Sequence, residues 1–292
     1  MSDYEQSLVF TKMHVCGNDF CLINGISEKH SFTPSTVRYL GDRHTGIGFD
    51  QLILLERQTD TNSDVAVQFF NSDGTKTEQC GNGCIAVAAF LYKHQLVRES
   101  QVRLKISNQI TECEIIQFNS RDEYTVEVKL GSPNFHPNDV PFHSHKQQKQ
   151  YELEVPSQAK PLFVSVLSLG NPHAVVVVSS LDNVPIDILG DEIQQHDAFP
   201  RSTNVEILEI QDDSNGKIRI FERGVGETQA SGTGAAAAAV AGQCLDFFRD
   251  SVNISMPGGS VLVRWEGQDS PVIVRSKPSF AFTGTIRFSS FS

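Results

Sequence analysis

The sequence is short of positive charge: 24 Lys and Arg stand against 35 Asp and Glu in 292 residues, a formal net charge of −11. Such a balance lacks the basic footprint of a nucleic-acid-binding surface and points to an acidic exterior that favours solubility. Long apolar runs are missing as well, which excludes a helical membrane span. Met1 to Gln6 is polar and acidic, unlike a secretion signal, so the expected location is the cytoplasm. Six cysteines are too sparse for a disulfide scaffold in a chain of this length and are expected as thiols. The length exceeds one ordinary core and suits two domains of about 140 residues.

What the sequence does contain is a repeated element. Cys80-Gly81-Asn82-Gly83 follows the strand-like Val65 to Phe70 and opens the apolar run Ile85 to Leu91. A cysteine at a Gly-rich helix start sits where free backbone N–H groups and the positive end of the helix dipole favour a thiolate. In the second half, Ile218 to Phe221 is followed by Ser231-Gly232-Thr233-Gly234 and the helix former Ala235 to Val240. Ser231 lies 151 residues beyond Cys80. Gly17-Asn18 against Gly170-Asn171, Gln51 against Asn204, and Asn71 against Glu222 keep a spacing of 151 to 153. Four ordered matches argue for an internal duplication, where chance agreement of Gly- and Asn-rich turns accounts for one.

Within the first half, Leu8 to Val15 and Asp19 to Ile23 read as strands joined by a Gly-Asn-Asp turn. Thr33-Pro34 starts a helix that ends near Asp42. Gln51 to Glu56, Val65 to Phe70, Val102 to Ile106 and Tyr124 to Leu130 read as further strands. His136 to Gln150, rich in Pro, His, Lys and Gln, is the candidate interdomain connector. Its His136, His143 and His145 lack the spacing of a metal site. The second half repeats the cycle with Leu162 to Leu169, Ala174 to Val178, a helix over 186–195 and a strand over 205–210. Four strands after the second Gly-rich helix complete it, and the C-terminal stretch near 280–292 is a candidate to pair back onto the first half. The expected architecture is α+β, with two pseudo-symmetric domains at 1–135 and 136–292, each a β-rich sheet wrapped around a Gly-initiated helix.

The motifs resemble those of diaminopimelate epimerase, a cofactor-independent amino-acid racemase family of two pseudo-symmetric domains. The matching segments are Lys12-Met13-His14 with Gly17-Asn18-Asp19-Phe20, Arg43-His44 with Gly46 to Gln51, Phe70-Asn71 with Asp73-Gly74, Gln79-Cys80-Gly81-Asn82-Gly83, Gly170-Asn171-Pro172-His173, and Glu222-Arg223-Gly224 with Gly226 to Ala230. They run in the family's order from residue 12 to about 240.

The resemblance implies interconversion of LL- and meso-2,6-diaminopimelate for lysine and peptidoglycan precursor synthesis, without pyridoxal phosphate or metal. Taking an α-proton unaided requires a base on one face of the carbon and a proton donor on the other, in a closed, dry pocket. The resemblance assigns Cys80 to one face and position 231 to the other, with His173 and Glu222 beside them. The family has cysteine at the second position, where this chain has Ser231. A hydroxyl is a far weaker acid than a thiol of pKa ~8.5, so inversion is expected to be impaired. Loss of the second cysteine in related racemases goes with dehydratases, which leaves a one-base dehydratase or isomerase using Cys80 as the alternative. A catalytically inactive diamino-acid-binding homologue is the other.

The resemblance further implies that Asn18, Gln51, Asn71, Asn171, Asn204, Glu222 and Arg223 ring a diamino-acid substrate. Arg223 would pair a carboxylate through its fork and Glu222 would take an ammonium. Gly81-Asn82 and Gly232-Thr233 would offer backbone N–H groups to the α-carboxylate. Taken singly, the Asn residues fit turns for conformational reasons and Glu222-Arg223 fits a surface ion pair; the shared spacing lifts them above that. Cys84 and Cys16, which depart from the family pattern, read as packing residues. A homodimer is the assembly the resemblance suggests, with Phe282 near the partner subunit, and no nucleic-acid or membrane partner is expected.

Overall fold

A computed structural model of the protein describes residues 5–58, 61–77, 80–119 and 123–289. The chain divides into two compact units, Met1–Val128 with Ser276–Ser292, and Lys129–Arg275. Among the described residues both are sheet-rich with two helices each.

The first unit contains β1 (Glu5–Val15), β2 (Asn18–Gly25), α1 (Pro34–Gly41), β3 (Gln51–Glu56), β4 (Val65–Asn71), β5 (Lys76–Thr77), α2 (Gly81–Lys93), β6 (Gln101–Ile106), β7 (Gln109–Phe118) and β8 (Tyr124–Lys129). A β1–β2 hairpin leads through α1 to β3, which lies parallel to β2; β4 runs antiparallel to β3 and parallel to β6, and β7 and β8 follow as antiparallel neighbours. Helix α1 starts where Thr33 caps it, its hydroxyl accepting from the Thr36 N–H at 3.2 Å, and Pro34 supplies a preset φ at the first helical position.

The second unit contains β9 (Tyr151–Leu153), β10 (Leu162–Ser168), β11 (Pro172–Val178), α3 (Ile186–Gln194), β12 (Asn204–Asp212), β13 (Asn215–Glu222), β14 (Gly226–Thr228), α4 (Gly232–Cys244), β15 (Ser251–Met256), β16 (Gly259–Arg264) and β17 (Ile273–Ser276). Its pairings follow the same scheme: β10–β11 antiparallel, β11–β12 parallel across α3, β12–β13 antiparallel, β13–β15 parallel, then β16 and β17. The last strand, β18 (Ser279–Ser289), pairs antiparallel with β1, as β9 pairs with β10 in the second unit.

Every residue of α2 from Gly81 to Leu91 and of α4 from Gly232 to Gly242 is buried. A helix apolar on all sides has no face to give to water, so strands cover it all round. In α4 the covering strands β10, β11, β12, β13, β15 and β16 all touch the helix. The five alanines 235–239 keep it narrow enough for that approach. A second layer of core lies under α3, where Ile186, Leu189 and Ile193 pack with Val205 and Ile207 of β12. In the first unit Val37 and Leu40 of α1 pack with Leu52, Leu54 and Phe70.

Three expectations need correction. The strand after β17 does not complete the second unit: β18 pairs back onto β1 of the first, as the C-terminal stretch near 280–292 was a candidate to do. Residues 136–150 lie within the second unit, not between the two, and although His136, His143, His145 and most of the stretch are exposed, it is docked onto the core. Val140 and Phe142 are core residues of the second unit, Phe142 packing against Tyr151 at 4.6 Å and Phe199 at 4.9 Å between ring centroids. Two apolar anchors in a polar stretch escape a composition argument yet suffice to dock it. Strands β5, β7, β9 and β14 are not among the expected elements either; β5, β9 and β14 are two or three residues long, and β7 is half polar.

Candidate functional site

Register places the candidate residues at one end of each sheet. In the first unit Phe20 pairs with Gln51, and Gln51 pairs with Asn71. In the second, His173 pairs with Asn204, and the neighbouring pair Val205–Phe221 brings Glu222 beside Asn204. Next to that end each unit starts its buried helix. The result is two half-sites built on the same plan, one per unit.

In the first, Cys80 is the N-cap of α2, and its half-buried Sγ accepts from the Gly83 N–H at 3.2 Å. Asn82 donates to Asn18 Oδ1 at 3.4 Å, and Gln51 donates to Asn71 Oδ1 at 3.1 Å. Two buried carbonyl oxygens, Gln51 Oε1 and Asn82 Oδ1, have no hydrogen-bond partner among the described residues. Acceptors in that condition suit a donor such as an ammonium group. Gly83 is required here, since a Cβ on it would lie 2.5 Å from the Phe69 ring.

A charged brace that the sequence reading quoted only as motif residues supports Asn18. Asp50 Oδ2 accepts from Asn18 Nδ2 at 3.0 Å and from the Asp19 N–H at 3.0 Å. Arg43 forks onto Asp19 at 2.8 and 3.0 Å and reaches Asp50 at 2.8 Å. Lys12 pairs with Asp19 at 2.5 Å and donates to the Gly48 carbonyl. Burial by itself would push the Asp19 carboxyl up, but the hydrogen bonds and charges of Arg43 and Lys12 outweigh it and hold the group well below the usual carboxylate range.

In the second unit Ser231 caps α4 and accepts from the Gly234 N–H at 3.2 Å, matching Cys80. Its hydroxyl lies 3.5 Å from Thr233 Oγ1, to which Asn171 donates at 3.4 Å. Asn204 Oδ1 accepts the Arg223 N–H at 2.9 Å, and Glu222 Oε1 accepts from the Thr228 hydroxyl at 3.0 Å. The Arg223 side chain is exposed and donates to the Arg201 carbonyl at 3.1 Å. His173 is fully buried: Nε2 lies 3.0 Å from Asn171 Oδ1 and Nδ1 lies 2.7 Å from Glu206 Oε1.

Glu206 belongs to none of the sequence motifs. Its signal was a lone carboxylate inside the otherwise apolar run Val205-Glu206-Ile207-Leu208. Burial raises its pKa above the ordinary value, against the opposing pull of His173. Cys84 is buried, as a packing reading requires, and its carbonyl accepts from the Cys113 thiol at 3.7 Å. Cys16 is not a core residue: it is half-buried in the β1–β2 turn with φ of 51°, and its sulfur lies 3.7 Å from Ser276 Oγ. Gln79, quoted in the Cys80 motif, lies outside the described residues. Among the described residues no three His, Cys, Asp or Glu side chains cluster as metal ligands would.

The sequence profile of the family described as Diaminopimelate epimerase matches residues 10–136 and 165–279. The chain is 39% identical over 280 residues to the diaminopimelate epimerase of Pseudomonas syringae pv. tomato, covering 96% of this chain and 99% of the relative. It is 39% identical over 279 residues to that of Nitrosomonas europaea, covering 96% and 98%. Among solved structures, a hydroxyproline epimerase from Agrobacterium vitis superposes with a TM-score of 0.70 at 14% identity, covering 99% of this chain and 95% of the other. A PhzF-family phenazine biosynthesis protein of Bacillus anthracis gives a TM-score of 0.67 at 13% identity over 96% and 99%. At that identity these two establish a shared fold.

Proposed function

The chain belongs to the diaminopimelate epimerase family, and we propose that it interconverts LL- and meso-2,6-diaminopimelate by removing and returning the α-proton. The observation that carries this reading is the pair of equivalent helix caps, Cys80 and Ser231, each accepting one backbone N–H at 3.2 Å.

Proton transfer at carbon needs a base whose charged form is stabilised before the substrate arrives. Cys80 fills that role, because the Gly83 N–H and the start of α2 favour the thiolate. Ser231 takes the opposite face of the carbon. Its hydroxyl exchanges protons far less readily than a thiol, so inversion is slow relative to a protein with cysteine there. The N–H groups of Gly81-Asn82 and Gly232-Thr233 receive the charge that builds on the α-carboxylate as the proton leaves. Gln51 Oε1 and Asn82 Oδ1 accept from an ammonium, supported by Asn18 and Asn71. Glu222 takes the second ammonium and Arg223 the second carboxylate, with Asn171 and Asn204 lining that end. Nothing in the scheme calls on pyridoxal phosphate. A cytoplasmic location and a homodimer belong to the same reading.

The test is solvent deuterium incorporation at the α-carbon of LL-diaminopimelate, with stereochemistry followed by chiral chromatography, in the wild type and in Ser231→Cys. Exchange with inversion, faster in the variant, is the expected result. Exchange with retention in both would move the assignment to one-base chemistry, and no exchange in either would overturn the proposal.

A further inference from the structure

The two half-sites differ in chemical character at one buried strand pair. His173 and Glu206 are both fully buried and joined at 2.7 Å, while their register equivalents in the first unit are Phe20 and Ile53, also fully buried. The same strand pair therefore forms around an apolar core in one unit and around an imidazole and a carboxylate in the other. Burying such a pair carries a large desolvation cost, and apolar residues of similar volume often do as well or better for stability. Folding alone gives no reason for it.

The carboxylate also has a place cut for it. Gly234, in the first turn of α4, would bring a Cβ to 2.9 Å from Glu206 Oε1. Glu206 Oε2 has no hydrogen-bond partner among the described residues. From Oε1 the contacts run in an unbroken series: His173 Nδ1 at 2.7 Å, His173 Nε2 to Asn171 Oδ1 at 3.0 Å, Asn171 Nδ2 to Thr233 Oγ1 at 3.4 Å, and Thr233 Oγ1 to Ser231 Oγ at 3.5 Å.

We propose that Glu206 is a positioning residue for the Ser231 half-site, holding the His173 ring by Nδ1 and, through His173 and Asn171, orienting the Thr233 and Ser231 hydroxyls at the start of α4. The inference rests on the epimerase reading for the reaction it serves. An imidazole held at one nitrogen presents the other in a fixed direction, which is how outer partners govern proton-transfer residues elsewhere. A Ser hydroxyl, slower than a thiol, depends more on such orientation.

Three variants test it: Glu206→Gln, Glu206→Leu, and Glu206→Ile combined with His173→Phe, which copies the first unit's arrangement. Thermal midpoint, the downfield imidazole N–H proton signal, and kcat and KM for α-proton exchange are read for each, in the wild-type and Ser231→Cys backgrounds. The Gln variant, whose amide can meet Nδ1 as donor or acceptor, is expected to hold the ring in place, to keep KM and to lose about tenfold in kcat. The Leu variant is expected to lose the signal and about 10²-fold or more in kcat, with KM little changed. The double variant is expected to fold with an equal or higher midpoint and to lose exchange. A Leu variant with wild-type kcat overturns the inference, and so does a double variant that fails to fold, which would make the pair structural. Should neither background exchange at all, the epimerase reading fails. The Glu206 contact is then judged by the N–H signal alone: present in the wild type and lost in the folded Leu variant supports it, absent from the wild type overturns it.

Discussion

Cys80 Sγ and the Gly83 N–H are hydrogen-bonded at 3.2 Å, so one side chain both caps α2 and carries the proposed reactive atom. The two roles separate on substitution. Cys80→Ser keeps an acceptor at the cap, and its thermal midpoint is expected to stay within about 2 °C of wild type, since caps of this kind are worth ~1 kcal/mol. Its α-proton exchange is expected to fall about 10²- to 10⁴-fold, the usual weight of one proton-transfer group. A Ser variant that exchanges at the wild-type rate would remove Cys80 from the mechanism.

Alkylation should distinguish the thiols. Iodoacetamide near neutral pH is expected to modify Cys80 well before Cys21, Cys84 and Cys113. Those three are buried, and burial pushes the Cys21 thiol up to about 12 and the Cys84 and Cys113 thiols well above their ordinary value. Peptide mapping after partial modification gives the order, and early labelling of Cys84 would contradict this one.

Restoring sulfur at the second cap is the gain-of-function counterpart. Ser231→Cys is expected to raise inversion of LL-diaminopimelate by about 10²-fold or more. Because Gly234 N–H can cap a sulfur as Gly83 N–H does, the thermal midpoint should barely move. Equal turnover in wild type and variant would mean that residue 231 does not handle the proton.

Close approach of α2 to its sheet predicts a packing defect. In Gly83→Ala the new methyl would meet the buried Phe69 ring at 2.5 Å, and overpacking of that sort costs about 1–3 kcal/mol. Urea unfolding should show the loss, and Phe69→Leu in the same chain should recover part of it. Full stability in Gly83→Ala would mean that the helix has room to shift.

Acid should weaken the brace around Asn18. Asp19 has a folded-state pKa below its unfolded one, so its contribution is complete above the unfolded value of about 3.9 and is lost as pH falls from there through the lower folded value. Stability of the first unit should drop across that window, and Asp19→Asn should flatten the drop while lowering stability near neutrality. An unchanged acid limb in the variant would assign the loss to other carboxylates.

The features legible in the sequence are those written locally. Thr33-Pro34 announces α1, Gly-rich turns announce α2 and α4, and the alternation in Val65 to Phe70 or Val252 to Met256 announces a strand, because capping, preset φ and side-chain period depend on neighbours a few residues away. The ordered spacing of Cys80 and Ser231, Gln51 and Asn204, and Asn71 and Glu222 also lies in the sequence, and it is enough to pick out the candidate residues.

What folding alone decided is who meets whom over distance. Phe142 finds Tyr151 and Phe199, and Glu206 of one strand meets His173 of the next. A strand's own residues specify its alternation and not its partner. Partnership is settled only when the sheet closes over the buried helices and the unpaired edges and apolar faces find the surfaces that cover them.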